Sequence, residues 1–129
     1  MDATQTHGAF SWNELMTPDP QAAIAFYGAL FGWTGEDVDM GTGPYHLLKR
    51  GDTAVAGVMG MPPDAPPGTP PMWGAYVTVD DIDATARRCT ELGGRVLMPP
   101  TDIPSVGRMA VLQDPQGAVI SAMTYSAPA

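Results

Sequence analysis

The sequence predicts an α+β chain built from two copies of one βαβββ unit. Three observations carry this reading. The order strand, helix, strand, strand, strand appears twice, at an offset of about sixty residues when the helix-ending glycines Gly32 and Gly93 are superposed. Each helical stretch opens on a capping signal and closes on glycine. Between the copies, the stretch MGMPPDAPPGTPPMW (residues 59–73) holds six of the chain's 14 prolines. Proline fixes φ and donates no backbone hydrogen bond, so this stretch is neither helix nor central strand and reads as a semi-rigid spacer.

In the first copy, residues 12–16 alternate in the manner of a short strand. Thr17-Pro18-Asp19-Pro20 is a turn and helix-entry signal. Ile24, Phe26, Tyr27, Leu30 and Phe31 then recur at helical spacing and are expected to pack the core, with Gly32 as C-cap. Strands are predicted at residues 33–40, 45–49 and 53–59. In the second copy, residues 73–79 form a strand and Asp80-Asp81 cap the helix IDATARRCTELGG. RVLMPP, GRMAVLQ and GAVISAMTY follow as strands, with Asp114-Pro115-Gln116-Gly117 turning between the last two. The result is a single domain over residues 1–129: module one at about 8–60, a linker at about 61–72 and module two at about 73–125.

Composition excludes several classes. A chain of 129 residues with 44% hydrophobic and 16% charged content is globular, not disordered. Net charge is -8 and only six residues are basic, so no phosphate-tracking patch exists and nucleic acid is excluded as a partner. One cysteine, Cys89, allows no intrachain disulfide; mid-helix and with no histidine in its segment, it reads as a buried structural thiol. No apolar run approaches the ~20 residues that span a bilayer. The opening MDATQTHGAF lacks the basic start and apolar stretch of a signal peptide, so a cytoplasmic protein is expected.

The ordered set AFYGALFGW (25–33), VDDIDATARRCTELGG (79–94) and GRMAVLQDPQGAVI (107–120), with GDTAVAG (51–57) ahead of the prolines, resembles the vicinal oxygen chelate superfamily. That superfamily includes glyoxalase I, extradiol dioxygenases and bleomycin-resistance proteins, and the resemblance runs over residues 8–125. It implies two βαβββ modules forming an open, cup-shaped mixed sheet, with the ligand inside and the helices outside. It also implies a divalent metal held from the first and last strand of each module. Carried over, those positions fall on Trp12, on Ala56 or Gly57, on Gly74 and on Ser121. Indole, methyl or hydrogen, hydrogen and hydroxyl are not a divalent-metal set, so neither metal nor other cofactor is expected.

Strand parity then gives the inner face. The first strand offers Trp12, Glu14 and Met16; the fifth offers Gly74, Tyr76 and Thr78; the eighth offers Val119, Ser121 and Met123. Met59, Met61 and Trp73 flank the linker at the cup's edge, and Tyr45 or its neighbour His46 faces inward. His7 lies in a frayed tail by this reading. An inward Glu14 needs a hydrogen-bonding partner, a ligand or solvent. Methionine fits irregular apolar shapes and tryptophan offers flat faces. The ligand-binding set is therefore Trp12, Glu14, Met16, Tyr45, Met59, Met61, Trp73, Gly74, Tyr76, Ser121 and Met123.

An apolar, aromatic cup suits a metal-free binding protein that sequesters a bulky aromatic molecule, such as a bleomycin-like or enediyne antibiotic, for self-resistance. The resemblance further implies a homodimer. The alternatives are a lyase, isomerase or hydroxylase with Glu14 as general base and Tyr45 or Tyr76 as acid, and a metabolite- or protein-binding sensor.

Overall fold

The computed structural model describes residues 2–39, 44–63 and 65–126. Met40, the last residue of the first predicted strand after the helix, lies outside the described residues, as do residues 1, 41–43, 64 and 127–129. After one 3-10 turn (Ala3–Gln5), the chain runs β1 (Phe10–Met16), α1 (Pro20–Phe31), β2 (Thr34–Asp39), β3 (Pro44–Arg50) and β4 (Thr53–Met59). It continues with β5 (Met72–Thr78), α2 (Ile82–Glu91), β6 (Arg95–Ile103), β7 (Gly107–Gln113) and β8 (Val119–Tyr125). This is the α+β, twice-repeated βαβββ order read from the sequence. Among the described residues no helix is long and apolar enough to cross a membrane.

Two compact units are formed. One spans Trp12–Gly74; the other comprises the chain from Ala75 onward and the N-terminal segment up to Ser11. In module one the strand order is β2-β3-β4-β1, and in module two it is β5-β8-β7-β6. Each sheet is mixed: β1 runs parallel to β4, and β5 parallel to β8, while the other pairs are antiparallel. His7 is not frayed. Its Nδ1 accepts from the Asp80 N–H at 2.9 Å, and Gly8 and Ala9 exchange backbone hydrogen bonds with Thr78 at 2.8 Å each.

Both helices start where the carboxylates dictate. Asp19 accepts from Ala22 N–H at 3.1 Å ahead of Pro20, and Asp81 accepts from Asp83 and Ala84 N–H at 3.0 and 3.1 Å. Gly32 closes α1 at φ +76°, a left-handed conformation that favours glycine. In module two, Arg108 forks onto both Asp83 oxygens and onto Asp102, joining α2 to β7 and β6. The hydrogen bonds from Arg108 hold the Asp83 carboxyl below the usual carboxylate range.

β6 runs three residues beyond the predicted end at residue 100, straight past Pro99 and Pro100. It is an edge strand, and its register against β7 shifts between Met98 and Thr101. The bulge absorbs two residues that cannot donate to the ladder.

The cores are separate. In module one, Leu15, Leu48, Ala56 and Val58 are buried under Ala23, Ile24 and Tyr27 of α1. In module two, Val79, Ile82, Ala110, Leu112 and Ala122 form the cluster, and Cys89 packs against it. One expectation fails. Of the apolar α1 residues assigned to the core, Phe26, Leu30 and Phe31 are 60%, 57% and 53% exposed. The helix is apolar on every side, yet a sheet covers only one stripe of it, so the opposite stripe faces outward.

Leu48 is fully enclosed and Ile82 is 1% exposed, whereas Leu92 is 61% exposed. Truncating Leu48 or Ile82 to alanine should lower the unfolding free energy by about 2–5 kcal/mol. Leu92→Ala should stay within about 0.5 kcal/mol. Urea denaturation checks this; equal losses at all three positions would contradict the packing.

Candidate functional site

Each module has one sheet face covered by its helix and one facing away from it. In module one, Leu15, Leu48, Ala56 and Val58 take the helix side. Alternation therefore sends Trp12, Glu14 and Met16 of β1, Tyr45 and Leu47 of β3, and Gly57 and Met59 of β4 to the helix-free side. The register brings them together. Glu14 lies opposite Gly57, Met16 opposite Met59, and Tyr45 opposite Met59 on the other flank.

At the centre is a three-residue relay. The Tyr45 hydroxyl donates to Glu14 Oε2 at 2.7 Å, and the Trp12 indole N–H donates to the Tyr45 oxygen at 3.0 Å. Glu14 is buried, while Trp12 and Tyr45 are half-buried. A carboxylate enclosed on a sheet face is tolerable because it is hydrogen-bonded, and a charged acceptor makes that bond a strong one. Gly57 is required by the same geometry: a Cβ there would overlap the Tyr45 hydroxyl.

Two readings left open by the sequence are thereby decided. Gly57, not Ala56, shares the face of Glu14: the parallel register pairs Glu14 with Gly57, while Ala56 packs in the helix-side core. Tyr45, not His46, points to that face. His46 lies on the helix side, where its Nδ1 is 2.7 Å from the Asp37 carboxylate.

In module two, Val77, Ala110, Leu112 and Ala122 face α2, so Tyr76, Thr78, Met109, Ser121, Met123 and Tyr125 take the helix-free side. Tyr76 lies opposite Ser121, and Thr78 and Met109 flank Met123. Tyr76 and Met123 are buried, and the Tyr125 hydroxyl bonds Ser11 Oγ at 2.8 Å. Gly74 is exposed, and a Cβ on it would have ordinary room. Two residues of the expected set are placed elsewhere. Trp73 lies on the helix side, its indole N–H donating to the Tyr27 hydroxyl at 3.1 Å. Met61 follows β4 in irregular chain. Tyr125 was not among the residues expected from the sequence, and Gly57 was expected only as an alternative to Ala56. Extending the β8 alternation by one step past Met123 finds Tyr125.

Residues 9–121 match the Glyoxalase/Bleomycin resistance protein/Dioxygenase superfamily, and the chain belongs to it. A relative from Mycobacterium bovis, "Putative glyoxylase CFP32", is 48% identical over 90% of this chain and 44% of its own length. "Anthracycline biosynthesis protein DnrV" of Streptomyces peucetius is 38% identical over 88% of this chain and 46% of its own. The chain thus spans a little under half the length of these relatives. Among solved structures, methylmalonyl-CoA epimerase from Mycobacterium tuberculosis superposes with a TM-score of 0.66 at 17% identity, covering 95% of this chain and 92% of the epimerase. That likeness is one of fold.

The metal implied by the fold family does not fit these residues. With the register set, the carried-over positions hold Trp12, Gly57, Gly74 and Ser121. Trp12 presents an N–H donor, two glycines present nothing, and the neighbouring carboxylate already accepts from Tyr45. Among the described residues no three His, Cys, Asp or Glu side chains are grouped to hold an ion. Elemental analysis of protein purified without chelator should find zinc, iron, nickel and manganese well below one per chain; one tightly held ion per chain would overturn the assignment.

The relay itself is testable. Gly57→Ala should displace the Tyr45 ring and shift its ultraviolet resonance or absorption, and should cost about 1–3 kcal/mol for a lost bond to a buried charged group. An unchanged tyrosine environment with full stability would show that the relay does not depend on Gly57.

Proposed function

We propose that the chain binds and sequesters a bulky aromatic small molecule on the helix-free face of module one, with Trp12 as the aromatic anchor. The relay carries this reading: a half-exposed indole is held at a fixed angle by Tyr45, which is itself held by the buried Glu14. A side chain locked before the ligand arrives loses little rotamer freedom on binding. Met16 and Met59 lie side by side on the same face, with Tyr45 opposite Met59, and supply adaptable apolar surface. A relative named for anthracycline biosynthesis supports a polycyclic aromatic ligand that carries hydroxyl or keto groups. On this reading the protein resides in the cytoplasm and confers resistance by sequestration.

A second reading has one observation in its favour. The Tyr45 hydroxyl and the Glu14 carboxylate lie 2.7 Å apart, an acid and a base within proton-transfer reach on a ligand-accessible face. In that case Glu14 removes a proton next to a carbonyl and Tyr45 supplies one, as in a lyase or isomerase. The name of the glyoxylase relative agrees with it.

Titration with an anthracycline aglycone should quench tryptophan fluorescence. Trp12→Ala should weaken binding about 5- to 150-fold, the 1–3 kcal/mol of a buried aromatic anchor. Unaltered affinity would remove Trp12 from the site. Mass spectrometry of the recovered ligand separates the two readings. Sequestration leaves the mass unchanged with wild type and with Glu14→Gln; a product formed by wild type and lost in Glu14→Gln establishes catalysis.

A further inference from the structure

We propose that an aromatic hollow at the C-terminal end of α1 is a binding site for a soft organic cation, a quaternary or fully alkylated ammonium group. The hollow measures about 480 Å³ and is walled by Tyr27, Phe31, Trp33 and Trp73, with Asn13 and Val55 beside them. All of these belong to the compact unit Trp12–Gly74. The hollow is on the helix side of the sheet, so it is distinct from the relay and does not depend on what the relay binds.

Local sequence brings the four rings together. Tyr27 and Phe31 are one helical turn apart and stack at 6.1 Å with their planes 11° apart. A Cβ on Gly28 would stand 3.0 Å from the Trp33 carbonyl oxygen. Glycine there lets the chain double back after the helix and lay Trp33 against Phe31 at 4.9 Å and Tyr27 at 6.1 Å. Trp73 meets Tyr27 edge-on at 5.4 Å and donates its indole N–H to the Tyr27 hydroxyl at 3.1 Å. That bond fixes both rings before a ligand arrives. The core uses only part of the cluster: Tyr27 and Trp33 pack on it, whereas Phe31 and Trp73 stay 53% and 41% exposed.

Three electrostatic contributions of one sign select the occupant. The face of an aromatic ring is the negative part of its quadrupole, and it attracts a cation within ~6 Å of the ring centroid. The rings meet at interplanar angles from 11° to 74°, so one cation in the hollow can touch more than one face. The negative end of the α1 macrodipole lies at the same place, because Tyr27 and Phe31 belong to the last turns of α1, and no basic side chain stands in its final turn. Arg50 approaches the helix end at Gly32 but is not part of the wall. Over residues 12–74, seven Asp or Glu outnumber Lys49 and Arg50, so the field of the whole unit also draws cations.

Other ligand classes match this wall poorly. An anion meets no basic side chain in it. A hard metal ion takes about six oxygen ligands, and here the side chains offer it only the Asn13 amide and the Tyr27 hydroxyl, with no carboxylate. An alkylated ammonium needs no hydrogen-bond acceptor and spreads its charge over its methyl groups, so ring faces serve it in place of water.

Titration of the full chain with choline should saturate with a dissociation constant on the order of 1 mM or tighter. Its uncharged isostere, in which carbon replaces the quaternary nitrogen, should bind at least ~10-fold more weakly. Amide-correlation NMR should place the choline-induced shifts on the indole N–H signals of Trp33 and Trp73 and on the Asn13 amide, with the Trp12 indole unmoved. Phe31→Leu and Trp73→Leu each keep apolar bulk and remove one ring at an exposed position, and circular dichroism verifies their folding. Each should weaken choline at least ~5-fold and leave the isostere unchanged. Absence of saturation, equal affinity for the isostere, shifts centred on Trp12, or full choline affinity in both leucine variants would each overturn the proposal.

Discussion

A carboxylate buried in the middle of a β-sheet has to be hydrogen-bonded, and the helix-free face of module one is arranged around that constraint. Glu14 has the parity of Trp12 and Met16, so it cannot turn to solvent without slipping β1 by one residue. Such a slip would expose Leu15 and break the core. Tyr45 satisfies it from the neighbouring antiparallel strand by reaching across β4. That reach is possible only because the residue between them has no side chain. Trp12 then completes the Tyr45 oxygen as its donor. A glycine, a tyrosine and a tryptophan thus follow from one buried carboxylate, and neither the glycine nor the indole offers a lone pair to a divalent metal.

The same economy separates the two faces of module one. The helix-free face is polar at its centre and apolar around it, suited to a small molecule that needs shape and one or two hydrogen bonds for orientation. The outward side of α1 is the reverse: largely apolar and aromatic, with no charged side chain in residues 20–35. Tyr27 joins the inner and outer parts of that side, since its ring packs on the core while its hydroxyl accepts from Trp73. Trp73 follows the proline stretch directly, so the linker delivers an aromatic to the helix side at the first residues of β5.

Much of this was legible in the residue order. The doubled βαβββ unit follows from capping carboxylates, helix-ending glycines and the proline stretch, all local signals that act before any tertiary contact forms. Alternation along β1, β5 and β8 is equally local, and it placed Trp12, Glu14, Tyr76, Ser121 and Met123 on the faces they occupy. The fate of the apolar α1 residues was not legible, because helical spacing reports which residues share a stripe and not which stripe a sheet will cover. Trp73 was misplaced for a related reason. At a strand's first residues, nearness to the linker is a weaker guide than the pleat, which puts Trp73 opposite Gly74.

What the sequence determined by itself was the set of elements and the family to which their order belongs. What only the tertiary structure decided was pairing. Whether Ala56 or Gly57 faced Glu14 depended on the parallel register of β1 against β4, and whether Tyr45 or His46 did so depended on the antiparallel register of β3 against β4. A one-residue offset reverses every side chain on a strand. Hydrogen bonds between strands thirty residues apart are set by cross-strand geometry, which no local pattern encodes.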